Sequence, residues 1–307
     1  MLRLRPGLVV SASVLAFGVT LAAPAGAAPA EDESVFTSYV ALGDSYAAGP
    51  LIPTQSGAPA GCLRSDRNYP SVVARRGGVS DLDDVSCSGA TTADLSAPQS
   101  TPLGTNPPQL DALTDDTEGV TLTIGANDVG LVQIITECAR RSPARPSEAA
   151  CRDAHTEDGR DVLAARIADT APAVAAALAE IGQRSPDARV LVVGYPAILP
   201  VDGPGCSPAV PISPADVAYL RETEVALNAM LAEQADAAGV EFVDTYDRFA
   251  GHDICQDPGV KWVEGPVPTS PAAPVHPNAL GMAEMAALVL DELADDAGAQ
   301  QTSQPSS

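Results

Sequence analysis

The chain has 307 residues, of which 45% are hydrophobic, enough for one sizeable core and not for two independent domains. With 17 Lys and Arg against 40 Asp and Glu its formal charge is −23, which opposes binding to nucleic acid or to an anionic membrane, and no basic patch interrupts it. Charge of this kind bears on solubility and names no substrate.

Arg3 and Arg5 precede an apolar segment, residues 8–23, and the small residues beyond it offer cleavage sites at Ala25-Gly26-Ala27 and Ala28-Pro29-Ala30. The pattern predicts a secretory signal peptide over residues 1–28 and a secreted, extracellular mature chain. A membrane anchor fits less well, because Ser11, Ser13, Gly18 and Thr20 interrupt a segment already short for a span. Loss of the two arginines takes the formal charge to −25. Residues 29–37 read as a flexible, acidic lead-in.

A β-favouring run at 39–42 ends at Gly43, and small residues follow Ser45, so a strand feeds a tight turn and a helix start. Ser45 then stands at the carboxyl end of a strand, where open α/β sheets bind their ligands. A Gly- and Pro-rich loop, residues 50–67, leads to a helix at 69–76 with Pro70 in its first turn. A short strand at 84–86 runs into the glycine turn Cys87-Ser88-Gly89-Ala90, and residues 91–108 form a polar connection. The strand at 119–124 alternates apolar and hydroxyl residues and stops at Gly125-Ala126-Asn127-Asp128, ahead of a helical run at 129–139.

Leu163, Ile167, Val174, Leu178 and Ile181 give residues 161–183 the stripe of an amphipathic helix. A strand follows at 189–193, four apolar residues after Arg189 that fit burial on both faces, ended by Gly194. Helix 214–238 is capped by Ser213 and carries the stripe Val217, Leu220, Leu227 and Leu231. After a last strand at 240–243 and an irregular stretch at 250–275, Asn278 caps the final helix, with Met282, Met285, Val289 and Leu293 facing inward. Residues 299–307 are a polar tail expected to be disordered. Strands alternating with helices of this length predict an α/β fold with a mainly parallel sheet of about five strands, covered on both faces.

Six cysteines in an exported chain, Cys62, Cys87, Cys138, Cys151, Cys206 and Cys255, predict disulfides. Many pairings are open; nearest neighbours in sequence are favoured, Cys62 with Cys87, Cys138 with Cys151 and Cys206 with Cys255. No two cysteines stand two to four residues apart, so a zinc site competes poorly.

In a parallel sheet the strand ends carrying Ser45, Gly89 and Asn127 share one edge, and His276, just before the last helix, can reach it. Acyl transfer needs these parts. A hydroxyl becomes a useful nucleophile when an imidazole takes its proton, and the tetrahedral intermediate needs N–H donors aimed at its oxygen. Ser45 would attack, His276 would act as base and then acid, and the N–H groups of Ser45, Gly89 and the Asn127 carboxamide would form the oxyanion hole.

Gly43-Asp44-Ser45-Tyr46, Ser88-Gly89-Ala90, Gly125-Ala126-Asn127-Asp128 and His276-Pro277-Asn278 resemble, in order, the four blocks of the SGNH hydrolases, also called GDSL esterases and lipases. The three cysteine pairs resemble the secreted bacterial lipase branch. The resemblance implies a flavodoxin-like three-layer α/β/α sandwich with a central five-stranded parallel sheet over residues 38–298. It also implies a monomeric serine ester hydrolase acting on small-molecule or lipid esters without metal or cofactor, and without stable membrane insertion.

One departure stands out: the aspartate that most members carry three residues before the histidine is here Ala273, and no carboxylate lies between Gly265 and His276. The carbonyl of Ala273 is expected to orient the ring in its place, giving a dyad. Asp44 reads as a turn stabiliser, Asp128 as the support of the Asn127 turn, and His155 and His252 as surface residues in polar loops. Trp262 either lines an acyl pocket or packs under a disulfide-bound loop. Removal of acetyl groups from a polysaccharide is a second function open to the fold. A catalytically silent binding protein is a third, but it would have lost Ser45, Asn127 or His276.

Overall fold

The computed structural model describes residues 34–142 and 148–302, without the side chains of residues 295–302. The expected signal peptide, residues 1–28, and the end of the tail, 303–307, lie outside the described residues.

Five strands form one parallel sheet: β1 (Ser38–Gly43), β2 (Asp81–Asp84), β3 (Gly119–Thr123), β4 (Arg189–Val193) and β5 (Glu241–Val243). Their spatial order is β2-β1-β3-β4-β5, so the chain changes direction across the sheet between β1 and β3. That switch point opens a crevice at the carboxyl ends of the strands. The central strands are apolar because they are covered on both faces: Val40 lies beside Val120 and Leu42 beside Leu122, and β4 continues the layer with Val190 and Val192.

The strand expected at 84–86 lies earlier, and its polarity explains the miss. β2 reads Asp-Leu-Asp-Asp and pairs on one side only, in the register Ser38 with Asp81 to Ala41 with Asp84. An edge ladder needs main-chain groups from a strand, not apolar side chains.

Among the described residues eight helices accompany the sheet: α1 (Ser45–Ala48), α2 (Tyr69–Arg76), α3 (Ala126–Val129), α4 (Leu131–Arg141), α5 (Ala150–Ala154), α6 (Val162–Arg184), α7 (Pro214–Ala238) and α8 (Ala279–Thr302). α2 packs on α8 over one face and α6 on α7 over the other, completing the three-layer sandwich. The single helical run expected at 129–139 is two helices, parted at Gly130, whose φ is +82°. α6 starts where the Asp161 carboxylate accepts the N–H groups of Leu163 and Ala164, and it carries Pro172 in its interior. An internal proline costs about 3 kcal/mol. Five buried apolar side chains on the stripe, each contributing roughly 1.5–3 kcal/mol, offset it. By length and composition α6 could cross a membrane, yet this stripe lies in the core.

Two boundaries move. α8 continues to Thr302, past the end expected at residue 298. The lead-in is held at its far end: Val35 donates to the Gly77 carbonyl, Thr37 donates to Glu118, and the buried Phe36 ring lies against Gly119, where a Cβ would sit 2.3 Å from the ring.

The cysteines pair as nearest neighbours: Cys62 with Cys87, Cys138 with Cys151 and Cys206 with Cys255. Cys62–Cys87 ties the loop after α1 to the glycine turn after β2 across a separation of 25 residues. Closing a loop of that size stabilises a fold by about 3 kcal/mol. The double variant Cys62→Ala, Cys87→Ala is expected to lose that amount in urea unfolding, and the intact protein is expected to show no free thiol under denaturing conditions.

Candidate active site

β1 stops at Gly43 because no side chain fits there. Its φ is +143°, and a Cβ would lie 2.5 Å from the Thr123 carbonyl oxygen on the neighbouring strand. The Gln109 carboxamide holds this glycine on both sides, accepting its N–H at 2.7 Å and donating to its carbonyl at 2.9 Å. Asp44 then caps α1 by accepting the Tyr46 N–H at 2.8 Å, the turn-stabilising role expected of it. Ser45 is therefore the first residue of a helix, a position whose N–H has no partner within the helix.

The Ser45 hydroxyl lies 2.7 Å from Nε2 of His276, although the two residues are 231 positions apart. Both are nearly closed off, at 6% and 8% exposure. Nδ1 of His276 lies 2.7 Å from the carbonyl of Pro274, which corrects the expectation of Ala273. The N–H of Ala273 instead donates to the Pro50 carbonyl.

The reason is local: Val275 takes φ +62°, folding the chain back so that the carbonyl two residues upstream meets the ring. A β-branched residue seldom adopts this conformation, which costs of order 1–3 kcal/mol. Tyr46 holds it there, donating its hydroxyl to the Val275 carbonyl at 2.7 Å and setting its ring 5.0 Å from the imidazole. A carbonyl only accepts, so Nδ1 carries the proton and the lone pair of Nε2 faces the Ser45 hydroxyl. Burial pushes the His276 pKa down to about 4, an effect the Pro274 carbonyl partly offsets, so the ring is neutral at neutral pH.

Gly89 occupies the third position of a β-turn closed by the Ala90 N–H on the Cys87 carbonyl at 3.0 Å, where its φ of +82° suits glycine. Asn127, in α3, donates one carboxamide hydrogen to the Ala90 carbonyl at 2.8 Å. The carboxamide carries a second hydrogen besides this one. Asp128 does not brace its own turn. It accepts from the N–H and hydroxyl of Thr92, the latter at 2.6 Å, and so ties the end of β3 to the segment after the Gly89 turn. The sheet edge thus brings Ser45, His276, Gly89 and Asn127 to one rim.

Three residues with no expected role hold these turns: Gln109, Tyr46 and Tyr195. The Tyr195 hydroxyl donates to Asp44 at 2.6 Å and accepts the Ala126 N–H at 3.0 Å. Burial pushes the Asp44 pKa up to about 7, against the hydrogen bonds from Tyr195 and the Tyr46 N–H. Tyr46 adjoins the serine and could have been considered from its position alone. Gln109 and Tyr195 carry no motif.

The other expectations sort simply. Asn278 caps α8, accepting the N–H groups of Leu280 and Gly281. Trp262 packs between Phe249 and His252, stacked on the latter at 3.5 Å. His252 directs Nδ1 at the Val260 carbonyl, and His155 lies beside Glu137, half-buried and not at the surface as expected. Among the described residues no group of three or more His, Cys, Asp or Glu is arranged to hold a metal. A cleft of about 190 Å³, with Ile52, Pro53, Pro271 and Leu280 in its walls, separates the loop after α1 from the loop before His276. A roomier cavity of about 510 Å³ lies between α6 and α7 at the amino ends of β4 and β5, the opposite edge from this rim.

Residues 41–284 match the GDSL-like Lipase/Acylhydrolase family. The chain is 38% identical to Lipase 2 of Streptomyces coelicolor over 301 residues, covering 96% of this chain and 98% of that one. It is 32% identical to a lipase of Streptomyces rimosus over 252 residues, 81% of this chain and 83% of the relative. Among solved structures, phospholipase A1 from Streptomyces albidoflavus superposes with a TM-score of 0.69 at 26% identity, over 84% of this chain and 99% of that one. The extracellular lipase of Streptomyces rimosus superposes with a TM-score of 0.63 at 29% identity, over 84% and 99% of the two chains. A five-stranded sheet in the order found, ending in the Ser45 turn and matched along nearly its whole length, makes this chain a member of the GDSL-like lipase/acylhydrolase family and a serine-dependent carboxylic ester hydrolase.

Proposed function

We propose that the protein is a secreted, monomeric lipase or esterase that cleaves fatty acyl esters through an acyl-enzyme on Ser45. The observation that carries this reading is the 2.7 Å contact between the Ser45 hydroxyl and Nε2 of His276. Ser45 Oγ attacks the ester carbonyl as its proton passes to Nε2. The oxygen that becomes negative receives the N–H groups of Ser45 and Gly89 and the second amide hydrogen of Asn127. Collapse expels the alcohol, which takes the proton from Nε2. Water then attacks the acyl carbon, gives its proton to Nε2, and releases the carboxylic acid as Ser45 recovers its hydrogen. The Pro274 carbonyl keeps Nδ1 protonated throughout, in the role an aspartate takes in most of the family, but with a dipole in place of a charge.

The cleft beside Ile52 and Leu280, whose walls also carry Arg67, Ser270 and Asn278, offers an apolar side to an acyl chain, and no step calls on a metal or cofactor. Export is supported by the leader-like residues 1–28, by three disulfides and by the likeness to an extracellular lipase. The acidic surface argues against nucleic acid and against insertion into anionic membranes. A second reading, hydrolysis of acetyl esters on a glycan, draws on the near-closure of Ser45 and His276, which leaves little room beside the nucleophile.

The test is a phosphonate ester label followed by assays on p-nitrophenyl esters from acetate to palmitate and on acetylated xylan. Label on Ser45 with turnover of long-chain esters is the expected result. Label on any other residue would sink the mechanism, and activity confined to acetate and xylan would replace the substrate class.

A further inference from the structure

Tyr195 takes no part in the acyl transfer above, yet its hydroxyl stands where the two turns of the site meet. It follows β4, and one side chain of α7 fixes its backbone: the Asn228 carboxamide accepts the Tyr195 N–H at 2.8 Å and donates to its carbonyl at 2.8 Å. Its fully buried ring meets Tyr46 edge-on, centroids 5.1 Å apart. The hydroxyl donates to Asp44 and accepts the N–H of Ala126. Asp44 precedes Ser45 and Ala126 precedes Asn127, so one oxygen bridges the residues next to the candidate nucleophile and the candidate oxyanion donor. The main-chain bond from Asp44 N–H to the Thr123 carbonyl lies at the very end of the β1–β3 ladder, and the bridge from Tyr195 continues the connection beyond it.

We infer that Tyr195 is a positioning residue: it holds the Ser45 turn and the Asn127 turn at the separation the tetrahedral intermediate needs. The inference rests on the acyl-transfer reading of this site. A donor shifted by about 1 Å can cost a hundredfold in rate, so a bridge that fixes two turns can matter without touching substrate.

The bridge has a direction. The Tyr195 oxygen already receives the Ala126 N–H, so its own proton needs an acceptor, and the ionised Asp44 carboxylate is that acceptor. The groups facing this carboxylate are the Tyr195 hydroxyl and, farther off, Asp128, with Tyr46 and Tyr69 on the flanking helices. Burial brings its pKa up to about 7. As pH falls through that value Asp44 takes a proton and the Tyr195 hydroxyl keeps only a neutral acceptor, so the charge-assisted bridge weakens. Turnover should therefore step down near pH 7, well above the range in which His276 itself becomes charged.

Tyr195→Phe keeps the ring and removes the bridge. Its kcat is expected to fall about a hundredfold with KM within about twofold of the parent enzyme. The step near pH 7 should disappear, because the bridge whose weakening causes it is already gone. Asp44→Asn should abolish the step, and it carries the test if the Phe variant does not fold. A Phe variant with parental kcat and pH profile, or an Asn variant that keeps the step, overturns the inference. Ser45→Ala, run alongside, separates the two claims: activity surviving there overturns the acyl-transfer reading, and the inference falls with it.

Discussion

Ser45→Ala is expected to cut ester turnover by roughly a millionfold, about 8 kcal/mol of transition-state stabilisation, without disturbing the fold. The hydroxyl it removes has its contact with Nε2 of His276, and alanine fits the same first helical position. His276→Ala should cost about as much, and the double variant little more, because nucleophile and base act as a unit. The measurement is kcat on a soluble short-chain ester, with circular dichroism to show that the variants fold. A Ser45→Ala protein that keeps more than about a thousandth of the activity contradicts the assignment, since loss of a nucleophile from such a unit costs roughly a millionfold.

As the proposed base, His276 also sets an acid limit. With its pKa held at about 4, His276 stays neutral and able to accept a proton down to that region, where an exposed imidazole would already be charged near 6.5. Activity should be extinguished as pH falls through about 4. Stability follows the same group. Between the folded value near 4 and the unfolded value near 6.5, the unfolded chain binds more protons, so stability contributed by this site rises with pH across that window.

Asn127→Ala is expected to lower kcat by about a hundredfold to a thousandfold, roughly 2.7–4 kcal/mol, with little change in KM. The ground-state carbonyl needs the donor less than the developing oxyanion does, so the loss falls on turnover. One of its two hydrogens is engaged by the Ala90 carbonyl, which makes the carboxamide a rigid donor. Losing that bond should also reduce stability by about 1 kcal/mol. Asn127→Asp separates the two roles: the carboxylate keeps the size of the side chain, offers no donor and repels the oxyanion, so its kcat should fall below that of the alanine variant. Stopped-flow phosphonylation of Ser45 gives an independent reading, because the same donors stabilise the phosphorus oxyanion. Fewer than tenfold lost in both measurements would remove Asn127 from the oxyanion hole.

Periodicity was enough to find the elements that bury a face. Helices 69–76 and 214–238 and strand 189–193 have the bounds read from their patterns. It failed at β2, an edge strand whose Asp-Leu-Asp-Asp sequence has a single apolar residue, too few to alternate. It failed again at Gly130, where a left-handed residue splits one helical pattern into α3 and α4.

The four blocks around Ser45, Gly89, Asn127 and His276, and the nearest-neighbour pairing of the cysteines, were legible because each depends on residue types in a fixed order along the chain. The partner of the His276 ring was not. Whether Ala273 or Pro274 presents its carbonyl depends on Val275 adopting φ +62°, a conformation its own chemistry disfavours and that Tyr46, 229 residues away, holds in place. Gln109 and Tyr195 are the same kind of case. Their roles come from a carboxamide and a hydroxyl that meet other strands after the chain has crossed the sheet, and local propensity carries no information about which side chains such a crossing brings within hydrogen-bond reach.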